Sequence, residues 1–376
     1  MPAAPINPFD LNISRAYSAP EAFCPRPELA EVLRRAVAGQ LWTLMVGERR
    51  MGKSSAAIAG CVQAGWPILH VDLMGVNSDA DILERFRWAW AFFLQQESHG
   101  FFARLKPEVS ATIPGTGVGV KLSTSRAEHA DPVSWGDVIV AFDHRVAGKN
   151  AVLFIDEFQD LALLPDEGRK ATRSLRAALQ MTRHVTPVLA GSSEHLLAPL
   201  FATSGAAFFK GIRLQYSLQA FTREQLSRWA GAIFRTQKRV IEAAAMLRLF
   251  ELTEGITEDL IATLAEIWVQ EAKGRAIAPA DIEFGWRSVV AHAIPLFLPK
   301  VSALPGLQAR LLRHFATHPQ TQPFSEATLS ALGEESGAVH KALSRLLELE
   351  LLRQEERDGR KRVWIHDPRV AFYLRA

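Results

Sequence analysis

Residues 41 to 59 read LWTLMVGERRMGKSSAAIA, and no other stretch of the chain limits its fold so strongly. The apolar run Leu41 to Val46 predicts a short buried strand. Gly47-Glu48-Arg49-Arg50-Met51-Gly52-Lys53-Ser54 then fits the spacing G-x-x-x-x-G-K-[ST] without a mismatch. Ser55 to Ala59 opens a helix rich in small residues. Strand, glycine-bracketed loop, lysine, hydroxyl and helix form the order that phosphate binding needs. Glycines let the backbone curl so that its N–H groups face phosphate oxygens, and the helix N-terminus adds a favourable dipole. Lys53 is placed to reach the β- and γ-phosphates and Ser54 to ligate Mg²⁺. Gly47 through Ser55 therefore form the predicted nucleotide-binding loop.

A second segment, AVLFIDEFQD from Ala151 to Asp160, predicts a buried strand with Asp156 and Glu157 at its carboxyl end. Open α/β sheets gather their ligands at that end. An acidic residue there can organise the Mg²⁺ shell, and the glutamate beside it can polarise an attacking water. That division suits phosphoryl transfer, in which positioning and charge neutralisation carry most of the work. The expected roles are metal ligation for Ser54 and Asp156 and catalysis for Glu157 and Lys53.

The chain's 376 residues suggest two or three domains. Apolar residues make up 48% of it, enough for substantial cores, and a net charge of +3 excludes a global basic field. Any nucleic-acid contact must then be a local patch. Cys24 and Cys61 match no metal or redox spacing and read as reduced thiols of a cytoplasmic protein. The N-terminal residues lack a signal-peptide pattern. Phe86 to Leu94 is too short to span a bilayer, which takes about 20 residues, so no membrane partner is expected.

The remaining pattern divides the chain. Residues 1–20 read as an extended lead-in and 21–220 as the nucleotide-binding core. Within it, about 100–135 form an insertion whose glycine-rich IPGTGVGV segment suggests a flexible stretch or a hairpin. Pro67 to Asp72, Thr186 to Ala190 and Ile212 to Leu218 predict further strands, and Arg169 to Arg183 a helix. Ser192 and Ser193 end the fourth core strand, either as γ-phosphate sensors or as the cap of a following helix. Residues 221–300 read as mainly helical, and Pro295 to Pro305 as a proline-containing connection. From 301 to 376 the order is helix, helix, turn, helix, hairpin. The hairpin is built on Asp358-Gly359, a strong turn signal.

That order is the order of a winged helix-turn-helix, whose third helix would expose His340, Lys341, Ser344 and Arg345 to a major groove. Arg357, Arg360, Lys361 and Arg362 on the wing would meet phosphates of double-stranded DNA. The same module also serves protein contacts, and Glu355, Glu356 and Asp358 share the wing with its bases.

Taken together, these segments resemble AAA+-type ATPases of the prokaryotic STAND-related branch, the "archaeal ATPase" group related to origin-recognition and initiator ATPases. Ala22-Phe23-Cys24-Pro25-Arg26-Pro27-Glu28-Leu29 resembles the family's F-x-G-R-x-x-E-L opening, with Pro25 where the family has glycine. Val46 to Ser54, with Arg49-Arg50, resembles its phosphate loop. Phe154 to Gln159 is similar to its hhhhDEhQ strand, and Ala190-Gly191-Ser192-Ser193 to its sensor strand. Leu252 to Thr257 resembles the T-x-G-x-P turn of its lid, with Thr257 in place of proline. Ile365 to Phe372 resembles its h-x-D-P-x-h-x-x-W tail.

The resemblance implies a five-stranded parallel sheet in order 5-1-4-3-2, a helical lid and a C-terminal winged helix. It implies ATP with Mg²⁺ as cofactors, Phe23 and Arg26 beside the adenine, and slow or partner-stimulated hydrolysis. It also implies an arginine finger from a neighbouring copy or the lid, with Arg173, Arg176 and Arg213 as candidates. The expected partners are DNA, a homo-oligomer or other proteins. The opposed expectation is a regulatory scaffold that holds ATP, turns it over little and acts through protein partners without DNA.

Overall fold

A computed structural model describes residues 7–10, 12–101, 111–112, 119–120, 134–192, 197, 200–201, 211–270, 274–318, 322–357 and 360–375. The chain divides into two compact units, Asn12–Gln219 and Ala220–Ala376 together with Met1–Leu11.

The first unit is built on five parallel strands: β1 (Thr43–Val46), β2 (Ile68–Asp72), β3 (Ala151–Asp156), β4 (Val185–Gly191) and β5 (Leu214–Ser217). They lie in the order β2-β3-β4-β1-β5, the expected 5-1-4-3-2 order met from the other edge. All four pairings are parallel, with Asp72 beside Asp156 and Val46 beside both Gly191 and Ser217. Strands of a sheet covered on both sides must be apolar throughout rather than alternating. β3 shows why. Leu153 and Ile155 enter one core with Leu44, Leu69 and Leu189. Val152 and Phe154 enter the opposite core with Met45, Ile58 and Val188.

Helices cover both faces. α1 (Ile13–Ser18), α2 (Pro27–Gly39) and α3 (Lys53–Gln63) supply Ala16, Leu33 and Ile58 to one core. α4 (Asp79–Phe101), α5 (Trp135–Arg145) and α6 (Pro165–Met181) supply Phe86, Phe142 and Leu175 to the other. Ser134 and Asp137 form a capping box that starts α5, each satisfying an N–H that the first helical turn leaves unpaired. In the insertion, Ala111–Thr112 pairs antiparallel with Gly119–Val120; 102–110, 113–118 and 121–133 lie outside the described residues.

The second unit is helical up to a final hairpin. α7 (Arg223–Arg235), α8 (Ala243–Thr253), α9 (Thr257–Val269) and α10 (Pro279–Ser302) come first. Phe9 is buried among the rings of Trp229, Phe234 and Trp268 at 5.3, 5.1 and 6.0 Å. Then follow α11 (Gly306–Thr317), α12 (Glu326–Leu332), α13 (Ser336–Glu348), the antiparallel strands β6 (Leu352–Arg357) and β7 (Arg360–Ile365), and α14 (Pro368–Arg375). Ser325 caps α12, and Gly333, at φ 63°, ends it in the left-handed conformation. Asp358 and Gly359 lie outside the described residues.

Two expectations are corrected. The lead-in is not extended throughout, because Ile13–Ser18 is helix, capped by the Asn12 side chain. Pro295 and Pro299 sit inside α10, so the first part of the expected connection is helix. Each proline removes a backbone hydrogen bond and costs about 3 kcal/mol in an isolated helix. Burial offsets this, because Ala293 and Phe297 enter the core formed with Leu311, Phe315 and Leu343. Among the described residues no helix is long and apolar enough to cross a membrane.

Candidate nucleotide site

The loop from Gly47 to Gly52 leaves β1 and turns directly into α3. Two left-handed residues, Arg50 at φ 68° and Gly52 at φ 78°, make the turn. Glycine adopts that conformation at little steric cost, which explains the second glycine of the motif. The first has a different cause. A Cβ on Gly47 would stand 3.2 Å from the Leu218 side chain and 3.3 Å from its carbonyl.

Lys53 is the first residue of α3 and only 5% exposed. Its Nζ donates to the carbonyls of Gly47 at 2.9 Å and Glu48 at 3.1 Å, so the ammonium lies within the loop. Burial lowers its pKa from the ordinary lysine value. The carboxylates of Glu157 and Asp156 partly counter that effect.

The next residue, Ser54, donates its hydroxyl to Oδ2 of Asp156, the last residue of β3. Asp156 is 6% exposed. Burial pushes its carboxyl up, but the neighbouring His70, the Ser54 hydroxyl and the Glu157 N–H outweigh burial and hold it below the usual range. His70 Nε2 lies 3.9 Å from Asp156 Oδ2, is itself buried and makes no hydrogen bond among the described residues. A hydroxyl and a carboxylate in contact form an all-oxygen donor pair, which fits a hard cation such as Mg²⁺. Among the described residues no group of three or more His, Cys, Asp or Glu could hold a metal.

Glu157 is left-handed at φ 48°. Its Oε2 accepts from Ser192 Oγ at 3.0 Å and from Gln159 Nε2. Arg49 Nε reaches the same Ser192 hydroxyl at 3.4 Å. The phosphate loop, the end of β3 and the end of β4 thus meet around one carboxylate.

Of the two candidate adenine residues, Arg26 donates to the Met51 carbonyl at 3.0 Å and the Gln219 carbonyl at 2.7 Å, bracing the loop. Phe23 packs on the core that contains Met51 and Leu218. Glu48 and Arg49 are exposed, while Ser55 is half-buried on α3. Ser193 lies outside the described residues. Arg173 and Arg213 are exposed and Arg176 is half-buried. Sequence reasoning missed two residues of this site. Gln159 stands in the hhhhDEhQ run and was readable there. His70 gave no signal beyond one polar residue in an apolar strand.

In the second unit, His340, Lys341 and Arg345 are exposed on α13, with Ser344 half-buried. Arg345 donates to Glu348 at 2.8 Å, and the His340 ring stacks on Phe324 at 5.9 Å. Arg362 is exposed and stands opposite Glu355 in the hairpin register, as Lys361 stands opposite Glu356. The side chains of Arg357, Arg360 and Lys361 lie outside the described residues.

No protein-family profile matches the chain, and no curated protein does. Solved structures do match. A Walker-type ATPase of Pyrococcus abyssi superposes with a TM-score of 0.69 at 18% identity, covering 98% of this chain and 100% of that one. The chain has the fold of that Walker-type ATPase, a five-stranded parallel sheet with helices on both faces. Two further structures align at lower TM-scores. The RuvB Holliday junction branch migration motor of Thermotoga maritima has a TM-score of 0.46 at 13% identity, covering 97% of this chain and 99% of that one. The ORC1 protein of Aeropyrum pernix, solved in complex with DNA, has a TM-score of 0.46 at 16% identity, covering 92% and 89%.

Proposed function

We propose that this protein is a Mg²⁺-dependent ATP-hydrolysing switch whose C-terminal winged-helix module engages double-stranded DNA. The observation that carries the proposal is the meeting of Lys53, Ser54, Asp156, Glu157 and Ser192 at the carboxyl end of one parallel sheet. Lys53 grips the β- and γ-phosphates, and the N–H groups of the loop from Gly47 to Ser54 cradle them. Ser54 and Asp156 hold the cation. When bound there, Mg²⁺ would supply charge neutralisation for the transferred phosphoryl group. Glu157 takes the proton of the attacking water. The bond from that water to the γ-phosphorus forms as the bond to the bridging oxygen breaks, and ADP and phosphate leave. Ser192 contacts both Glu157 and Arg49 and is placed to register the γ-phosphate. An arginine from a second copy or from the lid completes the charge, with Arg173, Arg176 and Arg213 as the candidates.

His340, Lys341, Ser344 and Arg345 form the proposed groove-facing set. Arg357, Arg360, Lys361 and Arg362 form the phosphate-facing set. Buried free thiols at Cys24 and Cys61 are in keeping with a cytoplasmic location.

A second reading has its own observation. Arg345 is paired with Glu348, and acids stand opposite Lys361 and Arg362 in the hairpin register, so the module carries acids as well as bases. That balance favours a protein partner and an ATP-holding scaffold with little turnover.

The deciding experiment measures ATP turnover with and without double-stranded DNA, for the parent and Glu157→Gln, alongside DNA binding at two salt concentrations. DNA-stimulated turnover that the variant loses, with salt-sensitive binding, is the expected result. Nucleotide binding without any effect of DNA moves the partner to a protein. Equal turnover in variant and parent removes Glu157 from the mechanism.

A further inference from the structure

Gln159 is 1% exposed and lies between the ends of β3 and β4. Its side-chain amide faces both strands at once. Nε2 donates to Oε2 of Glu157 and, at 3.2 Å, to Oδ1 of Asp160. Oε1 accepts from the Ser192 N–H at 3.3 Å. The partners dictate the amide's orientation. Carboxylates only accept and a backbone N–H only donates, so a flipped amide would lose all three bonds. The close approach depends on glycine at position 191, where a Cβ would stand 2.5 Å from Gln159 Oε1. Glu157 needs such support, because its left-handed backbone persists only where its surroundings hold it.

We propose that Gln159 is a positioning residue for hydrolysis, an amide clamp that fixes the Glu157 carboxylate relative to the Ser192 end of β4. The proposal rests on the reading of Glu157 as the group that takes the proton from water. With Oε2 engaged by Gln159 Nε2 and Ser192 Oγ, Oε1 is the oxygen that accepts that proton. The clamp touches neither phosphate nor metal, so its loss acts on turnover and not on nucleotide affinity. It also ties the sensor strand to the base, so displacement of one is felt by the other.

The test compares four proteins: the parent, Gln159→Met, Glu157→Gln and the double variant. Methionine keeps the length and removes every polar bond. The expected result for Gln159→Met is a kcat at least tenfold lower with an ATP Kd within threefold of the parent. Added to Glu157→Gln, the same change is expected to lower kcat no further, because both act through one carboxylate. Gln159→Glu keeps the volume and the acceptor for Ser192 N–H but loses both donors, and the same loss of turnover is expected. An unchanged kcat in Gln159→Met, or losses that multiply in the double variant, overturns the clamp. A fall in nucleotide affinity and thermal stability in both Gln159 variants also overturns it and makes Gln159 a core residue only. If Glu157→Gln turns over like the parent, the assignment of Glu157 fails whatever Gln159→Met does. If Glu157→Gln is inactive and Gln159→Met is normal, only the clamp fails.

Discussion

The hydroxyl of Ser192 donates to Oε2 of Glu157 at 3.0 Å and joins the end of β4 to the end of β3. Ser192→Ala removes that donor and the contact with Arg49 while leaving Lys53 and Ser54 untouched. Turnover is expected to fall about tenfold, the worth of one hydrogen bond to a charged group, about 1.5 kcal/mol. Nucleotide Kd is expected to stay within threefold. Steady-state hydrolysis measured beside equilibrium binding checks this, and a parallel loss of affinity would place Ser192 in ground-state binding.

Lys53 carries the positive charge inside the loop. Lys53→Ala removes it from a site where burial strengthens its attraction to phosphate. ATP affinity is expected to weaken by about 3 kcal/mol, roughly a hundredfold in Kd. Calorimetric titration of parent and variant reads the difference directly. Retained affinity would move phosphate recognition away from this loop.

How far the sequence carried the argument depended on where each contact's partners lie along the chain. The phosphate loop was legible because its partners are neighbours: Lys53 bonds Gly47 and Glu48 within the motif itself. Asp156 was legible as the polar end of an apolar strand. Gln159 bonds Ser192 across 33 positions, and Arg26 reaches Gln219 across 193. No local pattern encodes either pairing. The course of α10 through Pro295 and Pro299 was misread for a related reason. Propensity is local, whereas the burial of Ala293 and Phe297 that overrides it comes from helices later in the chain.

Arg369 closes a network within the second unit. It is bonded twice to Asp367, with Nη2 to Oδ2 at 2.7 Å and Nε to Oδ1 at 3.0 Å. It also stands 3.9 Å from both Asp259 and Glu258 of α9. Asp259 is fully buried. Arg369→Met strips the cation from that cluster of acids, and removing one partner of a buried ion pair is destabilising. The expected result is a clear fall in the unfolding midpoint of the second unit. Arg369→Lys should recover part of it, since an ammonium cannot make the forked contact with Asp367. Chemical denaturation of the three proteins tests the order; an unchanged midpoint in Arg369→Met would show that other protein groups, not Arg369, balance Asp259.

The last expectation concerns pH. Burial pushes the thiols of Cys61 and Cys24 up to about 12 from an ordinary value of 9.0. Burial also raises the Tyr17 phenol. Each group holds its proton more tightly folded than unfolded. Its contribution to stability is therefore complete below pH 9 for the thiols and is lost as pH rises toward 12. Each thiol costs about 1.4 kcal/mol per pH unit in that window. Unfolding free energy is expected to be flat with respect to these groups at pH 7–8 and to fall steeply above pH 9. A thiol reagent at pH 8 should label neither cysteine in the folded protein and both after denaturation. The Cys61→Ala variant separates the two effects. It should lose packing stability at neutral pH yet show a shallower alkaline fall than the parent, and an unaltered alkaline slope would assign that fall to other groups.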